Sequence, residues 1–185
     1  MPESLAAKLL VASPALTDPN FSRTVVFVCM HNDDGAFGLV LNRPMFDEPV
    51  AEALPEWSFV ATEPRVLFRG GPVHPPGGAA LARISGRVPD EGWTSLFANV
   101  GMFALERPAG EPVIDFTGLR IFSGYSGWTA GQLDQEVSDG GWFVVEAEPG
   151  DLFTSEPESL WRRVLQRQTA ALAMFAFFPS DLRAN

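Results

Sequence analysis

In the first third of the chain, apolar residues come in short runs rather than in a helical stripe. "KLLVA" (8–12), soon followed by Pro14, reads as a buried strand. "TVVFVCMH" (24–31) and "AFGLVLN" (36–42) flank "NDDG", and this pattern predicts a β-hairpin. The first arm of that hairpin is apolar on both faces. Val25, Phe27, Cys29 and His31 alternate with Val26, Val28 and Met30, so the arm belongs in the middle of a sheet covered on both sides. Upstream, Asp18 and Pro19 in "LTDPNFSR" are placed to cap one helical turn.

The pattern then loosens. "PVAEALPEW" (49–57) allows a short helix broken by Pro55. "RVLFRGGPVHPPGG" (65–78) is a strand running into a Gly/Pro turn, with "AALARI" (79–84) as its expected hairpin partner. Residues 85–118 alternate turn signals with short apolar runs and predict strands or loops. "LRIFSG" (119–124) is a further strand. After it, Thr129 and Gln132 make a capping box for a helix that turns Leu133 and Val137 to the core and ends at Gly140-Gly141. "WFVVEAE" (142–148) is another strand. Ser155 and Glu158 form a second capping box, for a last helix with the apolar stripe Trp161, Val164, Leu165, Leu172 and Phe175, stopped by Pro179. Strands in front, helices behind and no internal repeat predict one α+β domain over 1–185.

Composition constrains compartment and partners. A globular chain of 185 residues, 46% hydrophobic and 19% charged, buries roughly 70% of its unfolded surface and needs no staple. Cys29 is the lone cysteine, so no internal disulfide forms and a reducing cytosol fits. The formal charge is −10, with twelve arginines and a single lysine, Lys8, against 23 acids. Such a field repels nucleic acid and anionic lipid over ~8–10 Å, which argues against direct nucleic-acid or membrane binding. The start "MPESLAAKLLVASPALTD" lacks a basic segment before an apolar core, and the longest apolar run, "AALAMFAFF" (170–178), is well short of a membrane helix. The expected location is cytoplasmic.

The candidate chemistry is incomplete at each place it could sit. "GYSGW" (124–128) approaches the nucleophile-elbow pattern between a strand and a helix, but Trp128 stands where the last glycine belongs. Both histidines, His31 and His74, precede Ser126, leaving only a His–Asp–Ser order through Asp115. A P-loop lacks its lysine, and Gly124, Gly127 and Gly131 are misspaced for a dinucleotide fingerprint. What survives is a glycine-lined helix start whose free N–H groups could hold an anion. Cys29 and His31, two apart on one strand, would have Cα atoms about 6.8 Å apart. A thiolate–imidazolium pair there would be a redox sensor or nucleophile; a buried inert thiol is the plainer alternative. One cysteine and two distant histidines do not make a metal site, although Glu136 with Asp139, or Glu146 with Glu148, could pair carboxylates. Arg43 in "LNRP" and Arg69 in "FRGGP" follow strands and could clamp a carboxylate or phosphate. Arg162, Arg163 and Arg167 could face an anionic surface.

Taken together, "LVASPALTDPNFSRTVVFVCMHNDDGAFGLVLNRP" (10–44), "FRGGPV" (68–73), "GYSGWTAGQLDQEV" (124–137) and "LWRRVLQRQ" (160–168) resemble the AlgH/YqgE family of small bacterial proteins. His74 and Ser126 depart from residues common in that family, glutamine and alanine, which counts against a shared catalytic role for either. The resemblance implies a compact α+β fold with a curved, partly barrel-like mixed or antiparallel sheet flanked by helices. It implies no enzymatic activity and no cofactor. A founding member is named as a regulator of alginate genes, so an indirect transcriptional role is an alternative; the absence of a helix-turn-helix pattern and of a basic stripe argues against direct DNA reading. The expectation is a non-catalytic protein that binds a small anionic ligand or a protein partner through Asn42, Arg43, Gly70, Gly71, Tyr125, Trp128, Gln132 and Glu136.

Overall fold

Strand-forming runs dominate the computed structural model, which describes residues 3–106 and 114–180. The elements follow in chain order as β1 (Lys8–Ala12), β2 (Val25–Asn32), β3 (Gly35–Val40), β4 (Pro44–Pro49), α1 (Val50–Ala53), β5 (Val66–Arg69), β6 (Ala79–Ile84), β7 (Trp93–Phe97) and β8 (Val100–Phe103). Next come β9 (Phe116–Ser123), β10 (Ser126–Thr129), α2 (Gln132–Ser138), β11 (Trp142–Glu146), α3 (Pro149–Leu152), α4 (Leu160–Gln166) and α5 (Ala170–Ala173). The strands form two sheets, in the orders β10-β3-β2-β1-β11 and β4-β5-β9-β6-β8-β7. The α+β class holds, with the curvature expressed as two sheets rather than a closed barrel.

Period-2 alternation makes both sheets two-faced. Leu9, Val11, Val25 and Phe27 of the five-stranded sheet meet Phe68, Leu81, Val100 and Phe122 of the six-stranded one, and α3 and α4 close this inner core with Leu152, Trp161, Val164 and Leu165. The alternate residues Leu10, Ala12, Val26 and Val28 pack outward against Leu133 of α2, Trp128 and Trp142. On the other side, Ala80, Ala82, Leu119 and Ile121 lie under Val50 of α1 and Trp57. Each fully buried Val, Leu, Ile or Phe contributes roughly 1.5–3 kcal/mol. This is why β2, apolar on both faces, sits third of five.

The hairpin β2–β3 forms as expected, with Asn32 opposite Gly35 and the Asn32 side chain accepting the Asp34 N–H at 2.9 Å. Its register slips between Val28, which faces Gly38, and Met30, which faces Phe37. Cys29 is thus the extra residue of a β-bulge, and the residues after it exchange faces. Met30 is exposed instead of buried. Asp18 caps a turn by accepting the Asn20 N–H at 2.8 Å.

Three expectations are corrected. The strand "AALARI" is not the hairpin partner of "RVLFR": β9 lies between them, parallel to β5 and antiparallel to β6. The helix after "GYSGW" starts later than Thr129. Residues 126–129 are themselves an edge strand on β3, and the cap position is Gly131 at φ 70°; Gln132 still reaches back to the Thr129 N–H at 3.0 Å. The last helix is not continuous, and its Ser155–Glu158 box does not form. The chain makes a 3₁₀ turn at Pro157–Ser159, then α4, then α5 and a second 3₁₀ turn at Met174–Phe177. A capping box does close, but at Glu148 and Asp151 of α3. The part of 85–118 that spans 107–113 lies outside the described residues.

Candidate functional site

The glycine-rich motifs meet one another at the corner where the two sheets join. The Gly70 carbonyl accepts the Val40 N–H, while the Gly70 N–H donates to the Ser123 carbonyl, both at 2.9 Å. Val73 and Tyr125 exchange two backbone hydrogen bonds at 3.0 and 2.8 Å. A Cβ on Gly70 would stand 2.3 Å from the Gly124 carbonyl oxygen, so the residue type is set by close backbone approach. Ser126 is fully buried and its hydroxyl donates to the Gly70 carbonyl at 3.2 Å. Tyr125 packs its ring 5.0 Å from that of Phe37.

Trp128, Gln132 and Glu136 form a second, separate group on the outer face of the five-stranded sheet. Glu136 accepts the indole N–H groups of Trp128 and Trp142, each at 2.9 Å, and the Gln132 amide at 3.0 Å. Phe21 fills the space against both indoles, 6.2 and 5.5 Å from their centroids. Of the other carboxylates considered for pairing, Asp139 accepts from Gln135 and Glu146 from Lys8.

The expected shared face of Cys29 and His31 is not found, because the bulge turns them to opposite sides of β2. Cys29 packs in the inner core, 8% exposed, and burial pushes its thiol well above the ordinary range. His31, opposite Ala36, faces the outer cluster. Its Nδ1 accepts the Leu5 N–H at 3.0 Å and its Nε2 lies 3.4 Å from Asp134.

An open groove gathers arginines that are far apart in sequence. Arg43, immediately before β4, and Arg69, the last residue of β5, are neighbours: the Arg69 N–H donates to the Arg43 carbonyl at 2.9 Å. They line a recess of about 530 Å³ with Asn42, Met45, Phe46 and two acids, Asp47 and Glu158. Burial, and then the charge of Arg69, holds Arg43 below the ordinary arginine range. Glu158 also lines an adjoining recess of about 380 Å³ with Arg23, Trp161 and Arg162. Arg23 lies 4.1 Å over the Trp161 ring, and burial, then Arg162, lowers its pKa in the same way.

Asn42 builds this second recess indirectly. Its side-chain oxygen accepts the Val25 N–H and its amide donates to the Arg23 carbonyl, both at 2.9 Å. It thereby brackets Arg23, whose backbone takes a left-handed φ of 57°. Arg43 ties the same turn by donating to the Ser22 carbonyl at 2.8 Å. Among the described residues, Arg23, Arg43, Arg69 and Arg162 have no carboxylate within 4.0 Å, whereas Arg167 is forked onto Asp151 at 2.6 and 2.7 Å. Arg163 instead donates to Thr154.

Of the eight residues expected to form one surface, the structure places Asn42 and Arg43 at this groove. Gly70, Gly71 and Tyr125 lie in the corner, and Trp128, Gln132 and Glu136 on the outer face of the five-stranded sheet. Arg23 was missed, and its only signal is its place at the end of "LTDPNFSR".

Known proteins repeat this architecture over nearly the whole chain. A family model described as AlgH-like matches residues 9–173. A UPF0301 protein of Streptomyces coelicolor is 44% identical over 186 residues, covering 98% of this chain and 96% of the relative. One from Thermobifida fusca is 42% identical over 196 residues, covering 98% and 96%. A crystal structure of a protein from Corynebacterium diphtheriae superposes with a TM-score of 0.87 at 28% identity, covering 96% of this chain and 94% of that one. The solution structure of AlgH from Pseudomonas aeruginosa superposes at 0.69 and 30% identity, covering 98% and 97%.

Proposed function

We propose that this chain, which belongs to the AlgH-like family, is a non-catalytic cytoplasmic protein that binds a small anionic ligand or a protein partner presenting such a group. The observation that carries this reading is the abutment of Arg43 and Arg69 on one open recess, neither of them ion-paired with the Asp47 and Glu158 carboxylates that share its lining. Like charges held side by side cost stability, and a bridging anion would remove that cost. The reading favours binding over catalysis because Ser126 is sealed in the sheet corner and Cys29 is buried away from His31. Among the described residues no helix is long and apolar enough to cross a membrane.

The test is a titration of the ¹⁵N-labelled protein with inorganic pyrophosphate, followed by amide chemical shifts. Shifts should concentrate at residues 42–47 and 69 and vanish in Arg69→Ala, whose exposed side chain makes no hydrogen bond that the fold needs. Equal shifts in the wild type and in Arg69→Ala, or none at all, would overturn the proposal.

A further inference from the structure

The groove has features that a site for a free phosphate or nucleotide does not need. Its first recess is walled by Asn42 to Asp47, which lead into and form the edge strand β4, so it runs along a sheet edge where an extended chain can lie. Apolar side chains stand beside the cations: Met45 and Phe46, the latter 60% exposed, in one recess and the Trp161 face in the other. The cations come as two pairs, Arg43 with Arg69 and Arg23 with Arg162; exposed Glu158 stands where the recesses adjoin, and exposed Asp47 of β4 is the other acid of the lining. A compact polyanion would gain nothing from the apolar wall. An alternating acidic and apolar strand meets both pairs, because residues two apart project to one side.

We infer that the occupant is an extended acidic segment of a separate protein, laid along β4, with carboxylates on the two arginine pairs and an apolar side chain against Phe46. The inference rests on the anion-binding reading above and adds the class of partner. Glu158 then acts as a charge selector: it opposes any carboxylate that stops between the pairs and keeps the segment in register.

The test uses the full chain and a fluorescein-labelled peptide of roughly eight alternating glutamate and valine residues, read by polarisation at low salt. Wild type should bind. Arg69→Glu and Arg162→Glu, both exposed positions, should each weaken binding by about tenfold or more. Glu158→Gln should tighten it. Arg87→Glu, an equal charge change at an exposed residue paired with Asp90, should leave binding unchanged.

Equal loss in Arg87→Glu and Arg69→Glu would overturn the inference by showing only net-charge attraction. If pyrophosphate shifts the groove amides but the peptide does not bind, the peptide inference falls and the anion-binding reading stands. If neither binds, both fall. Concentration-dependent self-association in sedimentation, lost in Arg69→Glu, would identify a second copy as the occupant and overturn the inference of a separate partner.

Discussion

Trp128 and Trp142 share one acceptor: both indole N–H groups point at the same Oε2 atom of Glu136, each at 2.9 Å. Trp128 is on the edge strand β10, Trp142 opens β11 at the opposite edge of the five-stranded sheet, and α2 carries Glu136 across the face between them. The carboxylate therefore fastens the helix to both edges of the sheet. Two largely buried indoles lose their partner if it is removed, and an unpaired buried donor costs about 1–3 kcal/mol.

Glu136→Ala should accordingly lower the unfolding free energy by about 2–4 kcal/mol, read from the urea midpoint. Glu136→Gln, which keeps an acceptor oxygen, should lose clearly less. An alanine variant within about 0.5 kcal/mol of wild type would show that water replaces the carboxylate without cost.

The sheet corner predicts an asymmetric response to equal glycine substitutions. At Gly70 an added methyl would meet the Gly124 carbonyl oxygen at 2.3 Å and Leu39 Cδ2 at 2.9 Å. At Gly150 nothing lies within 4 Å. Gly70→Ala should cost more than about 3 kcal/mol or prevent folding, while Gly150→Ala should be tolerated. Comparable thermal midpoints for the two variants would contradict the corner geometry.

Cys29 predicts an alkaline effect whose sign is set by burial. The folded thiol ionises well above the unfolded value because its charged form is desolvated. Its contribution to stability is complete below the unfolded pKa of about 8.5 and is lost as pH rises above it, since the unfolded chain releases the proton first. Between pH 8 and pH 10 the wild type should lose stability faster than Cys29→Ala, by up to about 1.4 kcal/mol per pH unit. The native thiol should also resist iodoacetamide until denaturant is added. Rapid alkylation of the folded protein at neutral pH would revive a redox role for Cys29.

Local pattern carried much of the fold. The runs at 8–12, 24–31 and 36–42 read as strands because β-branched residues and an Asx turn act within a few positions of one another, and β2 read as central because both its faces are apolar. The end of α2 was legible in the same way. Gly140, at φ 78°, donates to the Val137 carbonyl and Gly141 to the Glu136 carbonyl, a local pair of bonds that needs a left-handed residue. In contrast, "SGWT" (126–129) is too short to show a period and looks like a turn until β3 supplies its partner.

The candidate site was less legible because its charges come from four separate segments. Nothing local says that Arg23, Arg43, Arg69 and Arg162 converge, or that Asn42 serves to hold the backbone at Arg23. The glycine motifs were visible, but their purpose was not. Gly70 is small because a chain more than fifty positions away passes within contact distance.

By itself the sequence determined that the apolar runs at 8–12, 24–31, 36–42, 65–69, 79–84, 119–124 and 142–148 are strands, since those depend on side-chain period and on backbone freedom at neighbouring residues. Tertiary structure alone decided that β9 separates β5 from β6, that one bulged residue turns Cys29 and His31 apart, and that unneutralised arginines share a groove. Those outcomes depend on pairing between distant segments, which is selected by the burial of whole faces rather than by any local preference.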